Sequence, residues 1–107
     1  MSEHPVDRLF ETIMARRTAS TRKSYTAKLL KSGIAQCAKK LGEEGVEAAL
    51  AAVGGEKKEI IAESADVLYH LLVLWAATGV KPQAVYAALE NRRSRSGLAE
   101  KKSRRRK

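Results

Sequence analysis

The sequence predicts an all-α fold of four to five helices arranged around a central antiparallel helical hairpin. Three observations predict it. Apolar residues recur at three- and four-residue steps along most of the chain. Aromatic residues make up only 5% and there are two prolines, while Ala and Leu abound, a balance that favours helices over strands. Gly54-Gly55 separates two long helical stretches, as a tight turn between antiparallel neighbours would.

Pro5 suits the first turn of a helix, where its missing N–H has no partner to lose. Val6, Leu9, Phe10 and Ile13 then follow helical spacing, with Asp7, Arg8, Glu11 and Thr12 opposite. Arg16–Lys23 is polar and without apolar period, and is expected to be a loop. Ser24-Tyr25-Thr26 leads into Ala27-Lys28-Leu29-Leu30, a short helix or turn. Ser32 is a candidate N-cap for the next helix, whose broad apolar face carries Ile34, Cys37, Ala38, Leu41, Ala48, Ala49 and Val53. Gly42 and Gly45 each lower helix propensity by up to about 1 kcal/mol relative to Ala, and are expected to let a ligand or partner helix come close.

After Gly54-Gly55 a helix opens at Glu56 and runs to Thr78. From Val67 onward it is apolar nearly all round, which marks burial on more than one side. One thin domain cannot easily surround such a helix, so an intertwined homodimer with this helix near the interface is expected. Gly79 ends the helix, and Pro82 starts a last one reaching Arg93. Tyr25, Tyr69 and Trp75 are read as core or interface residues, and Cys37 as a small core residue.

The 107 residues make one small domain, 1–93, followed by a basic tail, 94–107, expected to be flexible. The formal net charge of +9 belongs mostly to that tail. Arg92–Lys107 holds nine Lys or Arg and one Glu, whereas 1–91 holds 12 basic against 11 acidic residues. The fold itself is therefore near neutral, and nucleic acid is not expected as its partner. With Cys37 as the single cysteine no intrachain disulfide can form, which fits a reducing cytoplasm. The N-terminus lacks the pattern of a signal peptide, and the apolar run Val67–Ala77 falls short of the ~20 residues that cross a bilayer. A cytoplasmic protein without a membrane partner is expected.

The chemistry concentrates between Lys39 and His70. Glu44 and Glu47 are three apart and share a helix face, as do Glu63 and Asp66. Glu47 lies seven residues before Gly54 and Glu63 eight after Gly55, roughly 11–12 Å along each helix at 1.5 Å per residue. Closing the hairpin thus brings two carboxylates from each helix to nearly one level. Four carboxylates at one level repel, and a hard divalent cation, Mg²⁺ above all, is the natural compensation. Such a site keeps coordination positions that phosphate oxygens can fill. An isolated Glu-Glu-x-x-Glu would read as a solvated face. Asp66, a poor mid-helix residue set in an apolar stretch, tips the reading to metal.

The neighbours are less decided. His70 fits a phosphate donor, a group orienting a carboxylate, or a satisfied polar residue at the edge of the core. Lys39 and Lys40, one turn before the acids, suit phosphate contacts and ion pairs with Glu43 and Glu44 equally. There is no Walker-type loop, no paired cysteine spacing for zinc and no serine in an elbow context.

Glu44-x-x-Glu47, a fifteen-residue gap and Glu63-x-x-Asp66 resemble the metal-binding signature of the all-α nucleotide pyrophosphohydrolases, the MazG-like superfamily. Ser24-Tyr25-Thr26-Ala27-Lys28-Leu29-Leu30, Lys39 to Glu47 and Glu63 to His70 narrow the resemblance to the phosphoribosyl-ATP pyrophosphatase family, from Val6 to Arg93. Gly45 stands where members often carry Ala, and the ending Lys-Ser-Arg-Arg-Arg-Lys is more basic than the family requires. The resemblance implies hydrolysis of phosphoribosyl-ATP to phosphoribosyl-AMP and pyrophosphate, the second step of histidine biosynthesis, by a Mg²⁺-dependent homodimer. It implies that Glu44, Glu47, Glu63 and Asp66 hold the metal and that Glu43 is an outer carboxylate or the base for the attacking water. Lys28, Lys40 and His70 become donors to phosphate oxygens, with Arg92 and Arg93 reaching the substrate's other phosphate.

Two rival readings stand beside this one. A house-cleaning nucleoside triphosphate pyrophosphatase would share the metal site and differ in its pocket. A non-catalytic helical module binding nucleic acid through Arg92–Lys107 would leave the aligned carboxylates without a role.

Overall fold

The computed structural model describes residues 4–93; the tail predicted over 94–107 lies outside the described residues. Five α-helices follow in order: α1 Pro5–Ala15, α2 Tyr25–Ser32, α3 Ile34–Gly54, α4 Lys57–Thr78 and α5 Pro82–Arg93. No strand occurs among the described residues, so the fold is all-α as predicted.

Local chemistry sets each boundary. His4 Nδ1 accepts the N–H of Val6 at 3.1 Å and caps α1 ahead of Pro5. The expected loop at Arg16–Lys23 begins with one 3₁₀ turn, Arg16–Thr18, before the chain turns back. Ser24 Oγ then accepts the N–H of Ala27 at 3.1 Å, which makes the Ser24–Leu30 stretch a capped helix rather than a turn. Ser32 does not cap α3. Its hydroxyl donates instead to the carbonyl of Leu29 at 2.6 Å, and Gly33 takes the corner between α2 and α3 at φ 98°. Gly55 closes α3 at φ 83°, its N–H meeting the carbonyls of Ala51 and Ala52 at 3.1 and 3.2 Å.

The predicted hairpin is the backbone of the molecule. α3 packs on α4 more extensively than any other pair of elements meets, and α1 and α2 cover the C-terminal part of α4. Ile13, Leu29, Cys37, Leu72 and Val73 form the buried core where these helices converge. The Cys37 thiol donates to the carbonyl of Leu29 at 3.3 Å, and burial raises its pKa, as befits a structural thiol. Thr26 and Tyr69 join α2 to α4 through their hydroxyls. The hydroxyl of Tyr86 donates to the Asp7 carboxylate at 2.7 Å and ties α5 to the start of α1.

This core is thin, and much of the predicted apolar surface stays outside it. On α3 only Cys37 is buried, while Ile34, Ala38, Ala49 and Val53 are exposed. Val46, Leu50 and Val53 make one exposed stripe on α3, with Val53 87% accessible, and Ile61 and Leu68 make another on α4. Tyr25, expected in the core or at an interface, is 52% exposed. Among the described residues nothing presses on Gly42 or Gly45, since a Cβ at either would meet nothing within 4 Å. α4 is long and apolar enough by composition to cross a membrane, at mean hydropathy 1.5, but it carries Glu63 and Asp66 and serves here as the central helix.

Candidate active site

The hairpin does bring the acids together. Glu44 from α3 and Glu63 and Asp66 from α4 offer carboxylate oxygens that all lie within 4.8 Å of one another. Glu47 is the fourth member. Its carboxylate raises the pKa of both Glu44 and Glu63, which sets it beside them. Of the four carboxylates expected at one level, Glu44, Glu63 and Asp66 are the three that the hairpin brings within this distance.

Crowding shows in the acidities. Burial is the first cause raising the pKa of Glu44, followed by the neighbouring Glu47, while His70 acts in the opposite sense. Burial likewise leads the rise at Glu63, and Glu47, Asp66 and Glu59 add to it. Oε2 of Glu63 is buried without a hydrogen-bond partner. A carboxylate oxygen in that position needs a positive partner. An all-oxygen donor set of this kind fits a hard divalent cation and does not fit a soft metal.

His70 supports the cluster from beneath. Only 5% exposed, it donates from Nδ1 to the main-chain carbonyl of Asp66 at 2.9 Å. Its Nε2 faces the hydroxyl of Tyr25 at 3.5 Å, and its ring meets that of Tyr69 edge-on at 5.0 Å. Of the roles open to His70 in the sequence, the satisfied polar residue at the edge of the core is the one these contacts match. Lys40 forms an ion pair with Glu43 at 3.5 Å, which sets both on the flank of the cluster. Lys28 and Lys40 line one cleft between α2 and α3, together with Tyr25, Ser32 and Gln36.

The arginines lie elsewhere. Arg93 grips Glu90 at 3.0 and 3.2 Å near the end of α5, and neither it nor Arg92 lines the clefts beside the carboxylates. Gln36 and Tyr25 escaped the sequence reading. The signal for Gln36 was present, because Gln36, Lys40 and Glu44 recur every four residues and share a helical stripe.

Fold and site define an all-helical protein with three converging carboxylates, and Glu47 beside them, midway along a helical hairpin. The family model described as phosphoribosyl-ATP pyrophosphohydrolase matches residues 6–93. A phosphoribosyl-ATP pyrophosphatase of Parvibaculum lavamentivorans is 57% identical over 99 residues, covering 92% of this chain and 91% of its own. Those of Methylobacterium nodulans and Azospirillum brasilense are 54% identical over 94 residues and 50% over 99. The first of these two alignments covers 88% of both chains, the second 92% of this chain and 89% of its relative. The chain belongs to the phosphoribosyl-ATP pyrophosphohydrolase family.

Proposed function

We propose that the chain hydrolyses phosphoribosyl-ATP to phosphoribosyl-AMP and pyrophosphate in histidine biosynthesis, as a Mg²⁺-dependent homodimer of the cytoplasm. The observation that carries the reading is the unpartnered, buried Oε2 of Glu63 among converging acids, within a chain of this family. Glu44, Glu47, Glu63 and Asp66 would hold the cation. When bound, Mg²⁺ neutralises charge on the phosphoryl oxygens and makes a water molecule more acidic.

The side chains supply the remainder. His70 fixes the backbone under Asp66, so that this carboxylate is presented in one orientation. A carboxylate at the edge of the cluster, Glu43 by position, receives the proton of the water that attacks the α-phosphorus. The ion pair with Lys40 keeps Glu43 beside the reacting phosphates. The exposed stripes of Val46, Leu50 and Val53 and of Ile61 and Leu68 are the surface the second copy would cover.

The test is pyrophosphate release from phosphoribosyl-ATP, with and without Mg²⁺, by the unaltered chain and Glu47→Gln. Mg²⁺-dependent release that collapses in the variant is expected. Release from ordinary nucleoside triphosphates but not from phosphoribosyl-ATP would move the chain to house-cleaning chemistry and overturn the substrate assignment.

A further inference from the structure

A third cleft lies where the 3₁₀ turn Arg16–Thr18 and the loop after it pass over α2 and the C-terminal end of α4. At about 460 Å³ it is larger than either cleft beside the carboxylates. Those measure about 260 Å³ along Lys28 and Lys40 and about 280 Å³ along Glu47, Glu59 and Glu63. Small-molecule sites occupy roughly 300–1,000 Å³, and only the third cleft falls in that range. It is not part of the carboxylate site. Leu30 and Lys31 reach it from the face of α2 opposite Tyr25, Lys28 and Ser32. On α4, Ala76 stands ten residues beyond Asp66, about 15 Å along the helix.

Its chemistry is two-sided. Arg17, Thr18, Thr21 and Lys31 line it with donors. Arg17 donates from Nε to the carbonyl of Met14 at 3.0 Å, which anchors the guanidinium and leaves both terminal nitrogens for a ligand. The Lys31 ammonium and the two threonine hydroxyls make no hydrogen bond or ion pair among the described residues. No acid lines the cleft, and from Thr12 to Gly42 the chain has eight Lys or Arg and no Asp or Glu. The charge of Arg17 and Lys31 is therefore left for a ligand to neutralise. Leu30, Ala76 and Ala77 complete the lining as an apolar floor of mostly small side chains.

We propose that this cleft binds a phosphate monoester with a flat apolar body, of the nucleoside monophosphate class, at a site separate from the catalytic one. An anchored guanidinium offers paired N–H groups to phosphate oxygens, and Lys31 adds the second positive charge that a dianion calls for. The hydroxyls of Thr18 and Thr21 supply neutral donors for the oxygens that remain. The base rests on Leu30, Ala76 and Ala77, where a bulkier side chain would exclude it. Inorganic phosphate uses only the polar side and a nucleoside only the floor, so the two sides together define the class.

Calorimetric titration of AMP, inorganic phosphate and adenosine into the full chain, without Mg²⁺, tests the assignment. Leaving out the metal keeps the crowded acids repellent to anions. AMP is expected to bind most tightly of the three. The double variant Arg17→Ala, Lys31→Ala should weaken AMP about tenfold or more, consistent with lost charge-assisted hydrogen bonds. Ala76→Leu should weaken AMP about tenfold and leave inorganic phosphate within about twofold. Arg17 and Lys31 are exposed side chains, so the double variant carries the test if Ala76→Leu folds poorly.

AMP affinity indifferent to the double variant overturns the proposal, as does an AMP Kd above about 1 mM for the unaltered chain. Inorganic phosphate binding as tightly as AMP overturns the nucleotide class. The KM for phosphoribosyl-ATP should stay within about twofold in the double variant, and a tenfold rise would give the cleft to that substrate and overturn its separateness. The titrations need no turnover, so they stand whichever reaction the carboxylates perform.

Discussion

His70 donates from Nδ1 to the main-chain carbonyl of Asp66, 2.9 Å away and one turn back on α4. A carbonyl only accepts, so Nδ1 carries a proton, and Nε2 faces the Tyr25 hydroxyl at 3.5 Å. The imidazole thereby links the acidic cluster to the cleft of Lys28 and Lys40 through one buried side chain. His70→Ala leaves a cavity and an unpaired Tyr25 hydroxyl, and should cost about 2 kcal/mol or more of stability. Denaturant unfolding measures this, and pyrophosphate release should fall in parallel. A variant with unchanged stability would contradict the bracing role.

The acids make the metal-free protein sensitive to pH in a defined sense. Glu44 and Glu63 bind protons more readily in the folded chain than in the unfolded one, because burial and neighbouring carboxylates raise both. Stability contributed by these two groups is therefore present in acid and declines as pH rises from the ordinary carboxylate value of 4.5 through their raised values. Mg²⁺ should reverse the decline, raising Tm at neutral pH and having little effect once the acids are protonated. Scanning calorimetry with and without Mg²⁺ reads both arms. In Glu63→Gln the metal-free Tm should rise at neutral pH while the Mg²⁺ increment shrinks, and the same sign for both changes would refute the account.

Tyr86 offers an independent probe far from the chemistry. Burial, followed by the Asp7 carboxylate that its hydroxyl meets, pushes its pKa up from 10 to about 12. Between those values the unfolded chain has released this proton and the folded chain has kept it, so stability falls as pH rises. Tyr86→Phe should cost about 1 kcal/mol at neutral pH through the lost hydrogen bond and flatten the decline of Tm above pH 10. Activity should change little, since Tyr86 lines neither cleft beside the carboxylates.

The exposed stripes predict an assembly. Ile61 is 70% accessible and Val53 still more so, on a hairpin whose own core is small. Ile61→Glu should shift sedimentation of the chain from dimer to monomer, lowering Tm in a concentration-dependent manner. A species already monomeric without the substitution would remove the second copy from the proposal.

Much of this architecture could be read from sequence because its signals are local. Pro5, Gly54-Gly55, Gly79 and Pro82 mark helix ends through backbone constraints that need no partner. The acidic level match was legible because both distances are counted from one turn. The family reading drawn from Glu44–Glu47, Glu63–His70 and Ser24–Leu30 agrees with the match over residues 6–93. Ser32 does not cap α3 because it is still the last residue of α2, where its hydroxyl donates back to the Leu29 carbonyl, and Gly33 takes the N-cap position. Val46 and Leu50 were left out of the apolar face, and Ile34 and Val53 were put into it. Hydropathy alone does not say whether a helix face meets its own chain or another molecule.

The turn at Gly55 has one more consequence. It joins α3 to α4 with a single left-handed residue and Glu56, and nothing there is slack enough to absorb a change of length. An insertion before Glu63 that extended α4 would rotate Glu63 and Asp66 by about 100° relative to Glu44 and Glu47, since a helix turns once every 3.6 residues. The hairpin behaves as a combination lock with one setting. Variation in chain length among proteins built on this plan belongs at the termini or in the stretch before Ser24, where no carboxylate depends on the count.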